Sequence, residues 1–428
     1  FPAPGGPANR AASSKPAHFF RRWRRFAVFP LKGSLPIEGE NDIWGRCGNR
    51  ALNLVLFPDG EVWYNTLLSY LSIIWFCPKG ETGGGYSMLE LLAPAGSRQA
   101  LQAAVQNGAD AVYLGAGAFN ARMGARNFSM EELAEAVTYC HIRGVRVYLT
   151  VNTLVTDREM ERAEELLAQA AVCGVDAFIV QDLGLVSLCH QMAPGVPVHA
   201  STQMSIHSLE GARQAAEMGL ARVIVAREMS EENLRYLCRH SPVEVEVFAH
   251  GALCMCHSGQ CYFSAVVGQR SGNRGRCAQP CRLPYGFGRF EDRYPLSLKD
   301  NCLVGHVAEL ARLGCACLKI EGRMKRPEYV ACATRVYRDA IDGRAPSVEQ
   351  VRQLRDIFSR QGFTDGYFTG QVDENMFGTR GDERADGALL AAMRATYESG
   401  ETPRIPVRFF ALIRKGEPAM LAVEDDQG

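Results

Sequence analysis

The chain has 428 residues, of which 47% are hydrophobic, and it carries 47 basic and 47 acidic side chains. This length can bury one large core or two moderate ones, and the balanced charge excludes a surface that is strongly cationic overall, so any nucleic-acid contact must come from a local basic patch. The 15 cysteines are too dilute for a disulfide scaffold, and the N-terminus lacks the cationic, apolar and small-residue order of a signal peptide, so we expect a protein of the reducing cytoplasm.

Residues 1–87 differ in composition from the rest of the chain. This segment opens on "FPAPGGPANRAASSKP", contains the basic aromatic run "FFRRWRR", and shows no persistent helix or strand period. Its most apolar stretch, residues 62–77, is shorter than the roughly 20 residues that span a bilayer and is interrupted by polar side chains. We expect a disordered extension with no membrane anchor, and an RNA or membrane contact at "FFRRWRR" is the alternative.

Met88 is a candidate for the natural start of translation. Codons for Thr82, Gly83 and Gly84 can contain a purine-rich ribosome-binding sequence at a suitable distance upstream of Met88. On this hypothesis residues 1–87 precede the true start, and the nucleotide sequence of the gene tests it.

From Met88 onward, short β-branched runs alternate with amphipathic helical periods. Several of these helical periods end at a glycine, as the C-termini of helices prefer. Eight such units predict an α/β fold, a TIM-like (β/α)8 barrel, and a doubly wound open sheet is the alternative. The predicted strands are residues 89–94, 111–116, 145–152, 177–182, 197–203, 222–228, 243–251 and 317–323.

We place the barrel domain at residues 88–345. The remainder, residues 346–428, is interpreted as a helical linker and the start of a β-rich domain, because "RIPVRFFALIRKGEPAMLAVED" alternates like two strands joined at residues 415–417. A lone hairpin is marginally stable in water, so we expect the chain to be truncated within that β-rich domain.

Five cysteines follow the seventh predicted strand, on the barrel face where active sites lie. The loop region around them has no apolar periodicity that would explain them as packing residues. By contrast, the single cysteines on the predicted helices are expected to be buried as small apolar side chains. The clustered cysteines are Cys254, Cys256, Cys261, Cys277 and Cys281, and the single ones are Cys140, Cys173, Cys189 and Cys238.

Three kinds of chemistry suit this cluster. Four thiolates can bind an iron–sulfur cluster or a structural zinc ion. Irregular spacing, without paired knuckles of two intervening residues, favours the iron–sulfur cluster over a zinc ribbon. A catalytic cysteine would instead need a histidine base, for which the candidates are His199, His207, His250 and His257.

The segment "EVFAHGALCMCHSGQCYFS" resembles the defining motif of peptidase family U32, the collagenase-like proteases. The matching positions are Glu246, Phe248, Gly251, Ala252, Leu253, Cys254, Gly259, Cys261 and Ser264. Phe263 departs from the aliphatic residue that is usual in the family. Because "LLAPAG", "RGRCAQPCR", "PLSLKD" and "LKIEGRMKRPEYV" are also similar to the family, the resemblance covers about residues 88–345.

This resemblance implies two different activities. The family takes its name from reports of collagen degradation, whereas several bacterial members carry a [4Fe–4S] cluster and hydroxylate ribosomal RNA, transfer RNA or a quinone precursor without oxygen. The RNA-modifying members depend on prephenate, so the resemblance also implies a prephenate-derived precursor. By position, Cys254, Cys261, Cys277 and Cys281 match the cluster ligands of the RNA-hydroxylating branch, and Cys256 is an extra cysteine.

Polar side chains at the ends of the predicted strands should converge on one bowl. Glu321 is the best acid/base candidate, Arg323 and Lys319 could hold a carboxylate or phosphate, and His199 and His250 could move protons near neutral pH. The candidate substrate-binding residues are Asn120, Arg122, Asn152, Gln203 and Lys319, and the remaining wall residues are Gln181, Asp182, Ser201, Arg227 and Glu228.

Basic side chains near the cysteines predict a local rim for an RNA backbone. The alternative is ordinary solvated charge on a loop, because no series of aromatic residues accompanies them. The predicted rim consists of Arg270, Arg274, Arg276, Lys325 and Arg326.

The sequence therefore predicts an enzyme: an iron–sulfur-dependent, oxygen-independent hydroxylase of ribosomal or transfer RNA. The alternatives are a collagenase-like peptidase and a zinc-stabilised RNA-binding protein. The sequence does not identify the modified nucleotide, the electron donor or the oxygen source.

Overall fold

The computed structural model describes residues 89–124, 126–287, 290–379 and 385–398, together with four strands outside these ranges. The chain divides into two compact units. One unit comprises Phe1–Gly80 and Pro406–Gly428, and the other comprises Glu81–Ile405.

The strands are named in chain order. They are β1 Val55–Leu56, β2 Val62–Thr66, β3 Glu90–Pro94, β4 Ala111–Leu114, β5 Arg146–Val151, β6 Ala177–Val180, β7 Val198–Ala200, β8 Arg222–Ile224, β9 Glu244–Ala252, β10 Tyr285–Phe287, β11 Phe290–Arg293, β12 Asp300–Cys302, β13 Cys317–Ile320, β14 Phe363–Thr364, β15 Arg408–Ile413 and β16 Met420–Glu424.

The α-helices are named in the same way. They are α1 Arg98–Gln106, α2 Met130–His141, α3 Met160–Cys173, α4 Leu183–Met192, α5 Leu209–Glu217, α6 Glu231–His240, α7 Phe263–Gly268, α8 Val307–Leu313, α9 Pro327–Ile341, α10 Val348–Ile357, α11 Gly366–Thr369 and α12 Gly387–Glu398.

Eight parallel strands, β3 to β9 and β13, form a closed barrel. Closure depends on β13, which pairs in parallel with β3 on one side and with β9 on the other. In this register Leu318 lies opposite both Leu91 and Val247. The predicted (β/α)8 barrel is thus confirmed, and the alternative of an open doubly wound sheet is excluded because the first and last barrel strands are hydrogen-bonded to each other.

Local sequence explains why the barrel units form. The strands β3, β4 and β6 are buried along their whole length, as expected for parallel strands that are covered on both faces. Helix α2 begins with a capping box between Ser129 and Glu132, which satisfies backbone N–H groups at its start. Helix α3 ends at Gly174, whose φ of 88° lies in the left-handed region that favours glycine.

The core has two layers. The larger layer lies between the barrel and its helices and takes Leu, Val and Ala side chains from both. A smaller apolar cluster contains large side chains from alternating positions of the barrel strands, among them Tyr113, Tyr148, Ile179 and Phe248. Because these side chains fill the centre, the barrel is a packed core and not an open pore.

Buried charges accompany this smaller cluster. Arg222 donates to Glu90 Oε1 at 2.7 Å and to Glu246 Oε2 at 3.2 Å, and Lys319 Nζ donates to Glu246 Oε1 at 2.8 Å. All four side chains are almost fully buried. Each charge is therefore acceptable only because its partners are in place.

The connection from β9 to β13 is longer than the other strand-to-strand connections of the barrel. It contains α7, the antiparallel pair β10–β11, and β12, which runs antiparallel to the end of β9. Strand β14 then pairs in parallel with β12. This excursion leaves from the carboxyl end of a barrel strand, and it carries the clustered cysteines to that face.

Helices beyond residue 345 remain part of the barrel unit. Helix α12 packs against α1 and α9, Arg394 forms an ion pair with Glu328 at 2.6 Å, and Asn107 Nδ2 donates to Thr396 Oγ1 at 3.0 Å. The compact unit ends at Ile405. Sequence alone does not show that these helices cover α1 and α9.

The other unit contains a four-stranded sheet in the order β1, β2, β15, β16. Strands β15 and β16 pair in antiparallel fashion, with Phe410 opposite Ala422. Strands β1 and β2 fall within the segment in which the sequence shows no persistent strand period, and β2 pairs with β15. The run "FFRRWRR" and Met88 lie outside the described residues.

Within the described part of the chain, no helix has the length and hydropathy to cross a membrane.

The buried ion network predicts a strong effect of Arg222→Met. Removing the guanidinium leaves Glu90 and Glu246 without one of their buried countercharges, so the free energy of unfolding should fall by about 3–5 kcal/mol. Urea denaturation followed by circular dichroism measures this change. The matched control is Arg239→Met, because Arg239 is exposed on α6 and its loss should change stability by less than about 0.5 kcal/mol. Equal effects of the two variants would contradict the interpretation.

Candidate functional site

A cavity of about 840 Å³ opens at the carboxyl ends of the barrel strands. Its floor is formed by side chains of the strands, including Tyr113, Ile179, Phe248 and Lys319. Its walls come from the segments that follow the strands and from the long connection after β9. This volume is within the range of about 300–1,000 Å³ that is usual for small-ligand sites.

All five clustered cysteines line this one cavity, although they come from two separate segments of the chain. Cys254 and Cys277 are exposed, and the other three are partly buried. Burial raises the pKa of Cys281, whereas the neighbouring Arg282 lowers it. Within the described ranges, no three His, Cys, Asp or Glu side chains converge on a single metal-ion position.

Two glycines allow the cysteine segments to pack closely against the barrel loops. Gly259 has a φ of 79°, and a Cβ atom on it would lie 2.0 Å from the carbonyl oxygen of Gln203. Gly275 has a φ of 72°, and a Cβ atom on it would lie 2.3 Å from the carbonyl oxygen of Asn120. Only glycine fits either position, so the sequence itself determines how near the thiols come to the barrel.

Arg282 connects the two cysteine segments. It follows Cys281 in the chain, and its guanidinium donates to the carbonyl oxygen of Leu253, which precedes Cys254. The same guanidinium donates to Ser297 Oγ at 3.1 Å and to the carbonyl oxygen of Leu298 at 2.5 Å. Three acceptors from two separate segments thus hold this side chain in one orientation beside the thiols.

Glu321 is the centre of a charged network at the end of β13. Its Oε1 accepts from Arg122 at 3.0 Å and its Oε2 accepts from Arg227 at 3.4 Å. Burial alone would raise the pKa of Glu321, but Arg122, Arg227 and Arg323 outweigh burial and lower it to about 2. A carboxylate with so low a pKa is a poor base and a poor acid near neutral pH, so the geometry favours a role in holding the arginines over the predicted acid/base role.

Arg323 is buried beside this network. It donates to Thr150 Oγ1 at 2.8 Å and to Asn120 Oδ1 at 3.4 Å. Burial and the nearby charge of Arg122 lower the pKa of Arg323 to about 10. Arg323 is therefore still a cation at neutral pH, and it lines the cavity as the sequence predicts.

The predicted substrate-binding residues occupy different places. Arg122, Asn152, Gln203 and Lys319 line the cavity. Gln203 Nε2 donates to the carbonyl oxygen of Asn152 at 3.3 Å, whereas Lys319 forms an ion pair with Glu246. Asn120 is fully buried behind the wall, where its Oδ1 accepts from the backbone N–H of Arg122 at 3.0 Å. Asn120 therefore supports the wall and does not face a substrate.

His250 and His199 lie outside the cavity lining, contrary to the sequence prediction. His250 is enclosed by the rings of Tyr329, Tyr337 and Phe363, at centroid distances of 5.4–5.8 Å. Burial, with Lys325 nearby, lowers the pKa of His250 to about 3. A neutral imidazole that lies behind the wall cannot exchange protons with a substrate at neutral pH.

His199 lies beside the buried ion network. Its ring makes an edge contact with Tyr148 at 5.0 Å, and burial together with Arg222 and Lys319 lowers its pKa well below the usual range. The strand pattern placed this residue correctly on β7 but could not show that it lies away from the cavity.

The other predicted wall and rim residues fall into two groups, those with structural contacts and those that line the cavity. Asp182 caps helix α4 by accepting from the backbone N–H groups of Gly184 and Leu185. Arg274 pairs with Glu159 at 2.6 Å and anchors the second cysteine segment. Gln181, Glu228 and Arg326 do not line the cavity, whereas Ser201, Arg227, Arg270, Arg276 and Lys325 do.

Sequence reasoning missed several side chains of the cavity. Tyr113 and Phe248 lie on barrel strands, where the sequence pattern predicts that an aromatic side chain belongs to the buried core. The guanidinium of Arg227 stacks on the Phe248 ring, with 3.9 Å between its Cζ atom and the ring centroid. Arg360 enters from the region after α10 and pairs with Asp300 at 2.5 Å. No local pattern marks Arg360, whereas Arg282 could have been found from its place next to Cys281.

The low pKa of Glu321 predicts how Glu321→Gln changes stability with pH. Because the folded pKa is about 2 against an ordinary value of 4.5, the charged carboxylate stabilises the fold fully above pH 4.5 and loses this contribution as the pH falls toward 2. The variant should therefore be less stable than the wild type at neutral pH by up to about 3 kcal/mol.

Denaturation midpoints of the two proteins across this pH range measure the difference, which should shrink on acidification. Glu161→Gln is the matched control, since Glu161 is exposed on α3. A stability difference that is constant with pH would show that the charge of Glu321 is not the stabilising feature.

Comparison with known proteins identifies the family. The model of peptidase family U32 matches residues 96–377. A 23S rRNA 5-hydroxycytidine C2501 synthase of Escherichia coli is 40% identical over 260 residues, which cover 59% of this chain and 39% of that protein. The tRNA hydroxylation protein P1 of Bacillus subtilis is 35% identical over 310 residues, which cover 68% of this chain and 73% of that protein.

A collagenase of Porphyromonas gingivalis is similar to the same extent, with 35% identity over 309 residues that cover 66% of this chain and 74% of that protein. The chain therefore spans about two fifths of the length of the E. coli synthase, and nearly three quarters of the other two relatives. The match to the family model begins after β3 and covers the other seven barrel strands, both cysteine segments and the chain through β14 and α11. This chain belongs to peptidase family U32.

Proposed function

We propose that this chain is an iron–sulfur-dependent, oxygen-independent hydroxylase of ribosomal or transfer RNA, acting in the cytoplasm. The observation that carries the proposal is the meeting of two cysteine segments at one cavity, above a floor of buried cations. Relatives of this chain include a protein named as an rRNA 5-hydroxycytidine synthase and proteins named for tRNA hydroxylation, which supports RNA as the substrate.

The donor set suits a [4Fe–4S] cluster. Cys254, Cys261, Cys277 and Cys281 would hold it, and Cys256 is the additional thiol at the same cavity. Four cysteine thiolates are a usual ligand set of a [4Fe–4S] cluster, and their irregular spacing in the chain favours the cluster over a zinc ribbon. When bound, the cluster would supply one-electron chemistry at the cavity wall.

The side chains of the barrel would bind and orient the reactants. Arg122 and Arg227 are held by Glu321, so their positions are set before a substrate enters. Arg323 adds a third cation at the floor, and together these groups suit an anion such as the carboxylates of a prephenate-derived precursor. The enclosed floor would also exclude water from the reacting atoms.

A peptidase is less well supported by this geometry. A cysteine peptidase needs a histidine that contacts its nucleophilic thiol, and no histidine of the described ranges lines the cavity. His199 and His250 are buried and lie outside the lining. His207 contacts the carbonyl oxygen of Ser205, and His257, which follows Cys256 in the chain, lies 3.6 Å from Glu228. A zinc-stabilised RNA-binding protein is the remaining alternative.

The proposal predicts that Cys277→Ser removes iron and RNA hydroxylation together. A serine hydroxyl is a far weaker ligand than a thiolate, so the cluster should be lost or incomplete. Iron and sulfide analysis after anaerobic purification measures the first effect, and mass spectrometry of hydroxylated nucleosides in RNA incubated with the protein measures the second.

Cys256→Ser is the matched control, because Cys256 lines the same cavity and is not assigned as a ligand. It should retain iron, sulfide and activity. Stoichiometric zinc in a colourless wild-type protein, or hydroxylation that persists in Cys277→Ser, would overturn the proposal. Peptide-bond cleavage that survives removal of iron would support the peptidase instead.

A further inference from the structure

The entrance of the cavity carries exposed apolar, aromatic and basic side chains. We define the entrance rim as Met255, Tyr262, Arg270, Arg276 and Met324, all of which line the cavity. The side chain of Tyr262 is 65% exposed and that of Met324 is 57% exposed. Large apolar groups at the opening of a charged site are costly to leave in water, and they indicate a surface that receives a partner.

More cationic than anionic side chains line the cavity, although the chain as a whole has no net charge. Two of these cations, Lys319 and Arg360, are paired with Glu246 and Asp300, which lie outside the lining. Of the described residues that line it, one is a carboxylate, Glu321, and that carboxylate is neutralised by Arg122 and Arg227. The cationic side chains that line it are Arg122, Arg227, Arg270, Arg276, Arg282, Lys319, Arg323, Lys325 and Arg360. This imbalance favours a polyanion over a neutral peptide.

Arg270 and Arg276 are the exposed cations of the rim. Arg270 Nε donates to the carbonyl oxygen of Arg276 at 3.2 Å, which holds the two residues side by side. Neither forms an ion pair with another described residue, in contrast to Arg274 between them, which is paired with Glu159. Two neighbouring guanidinium groups without carboxylate partners suit successive phosphates of a nucleic-acid backbone.

The depth of the cavity restricts how RNA can enter it. Glu321 and Arg323 lie at the ends of the barrel strands, and Phe248 and Ile179 close the floor beneath them. The bases of an A-form duplex are stacked, and its major groove is too deep and narrow for side chains to reach them. Only a base that has left the stack can approach the floor.

We propose that the entrance rim receives one unpaired nucleotide, with its base stacked on Tyr262 and the flanking phosphates held by Arg270 and Arg276. This inference rests on the proposed function, because it specifies the form of RNA that the same site takes. Tyr262 provides a flat apolar face that accepts any base, and the exposed Met255 and Met324 adapt to the shape of the ribose and the neighbouring base. Paired RNA is rejected, since unstacking a paired base costs free energy that a loop nucleotide does not require.

The test compares RNA binding to the anaerobically purified full chain by fluorescence anisotropy. Three RNAs of matched length are used: a hairpin with an open loop, a single strand and a perfect duplex. The hairpin and the single strand should bind at least about tenfold more tightly than the duplex, since the duplex must be unstacked before it binds. This measurement reports binding and does not depend on turnover.

Variants of the rim locate the contact. Tyr262→Ala should weaken binding of the hairpin by about tenfold, while Tyr262→Phe should bind like the wild type, because the ring face is what stacks. Arg276→Ser should reduce the slope of log affinity against log salt concentration by about 0.7, as expected for the loss of one phosphate contact to a single strand. The matched controls are Tyr236→Ala and Arg239→Ser, both exposed on α6 and outside the cavity lining; they should leave affinity and slope unchanged.

The outcomes separate this inference from the proposed function. If the duplex binds as tightly as the hairpin, or if Tyr262→Ala binds like the wild type, the rim does not receive an unpaired base, and RNA remains the substrate. If none of the three RNAs binds, the proposed function itself is overturned. Binding of a denatured collagen peptide in place of RNA would overturn both and support the peptidase.

Discussion

The ion pairs of Glu321 with Arg122 and Arg227 hold the functional face of the barrel together. These three side chains follow β13, β4 and β8, and around the barrel β4 and β8 are each separated from β13 by one strand. The three side chains are remote in sequence and meet because the barrel closes. Burial makes an isolated carboxylate expensive, and two arginines outweigh that cost. The same pairs fix the arginines at the floor of the cavity. The contacts that compensate the buried charge of Glu321 are therefore also the contacts that would hold the arginines in position to orient a substrate.

A second consequence of closure is that His250 is separated from the thiols. The cysteine segments leave β9 at its carboxyl end and pack against the loops after β4 and β7 through Gly275 and Gly259. His250 belongs to the same strand but is enclosed by aromatic rings behind the wall. His250 is therefore not placed to act as the base for a thiol of this cavity.

The balance of positive and negative charge changes from the buried barrel core to the entrance of the cavity. The buried network of Arg222, Glu90, Glu246 and Lys319 is internally compensated and supports the barrel. The cavity next to it is lined by an excess of cations, and at the rim Arg270 and Arg276 are exposed to solvent. A polyanion that entered would therefore meet increasingly enclosed positive charge, as the proposed binding of one RNA nucleotide requires.

The sequence by itself determined the barrel and its thiols. Eight buried runs, with glycines that end the helices, predict (β/α)8 topology because strand and helix periods are local properties, and the predicted strands coincide with β3 to β9 and β13. The five cysteines were also visible, since they follow one strand within a short segment.

Only the tertiary structure decided which polar side chains face the cavity. Asn120, His199 and His250 occupy strand ends or nearby loops, as do Arg122 and Gln203, yet the first three turn away from the cavity and the other two line it. Arg360 arrives from a segment beyond the barrel, and α12 covers α1 and α9. Side-chain direction at a strand end and contact between distant segments depend on how the barrel closes, and no local pattern encodes that closure.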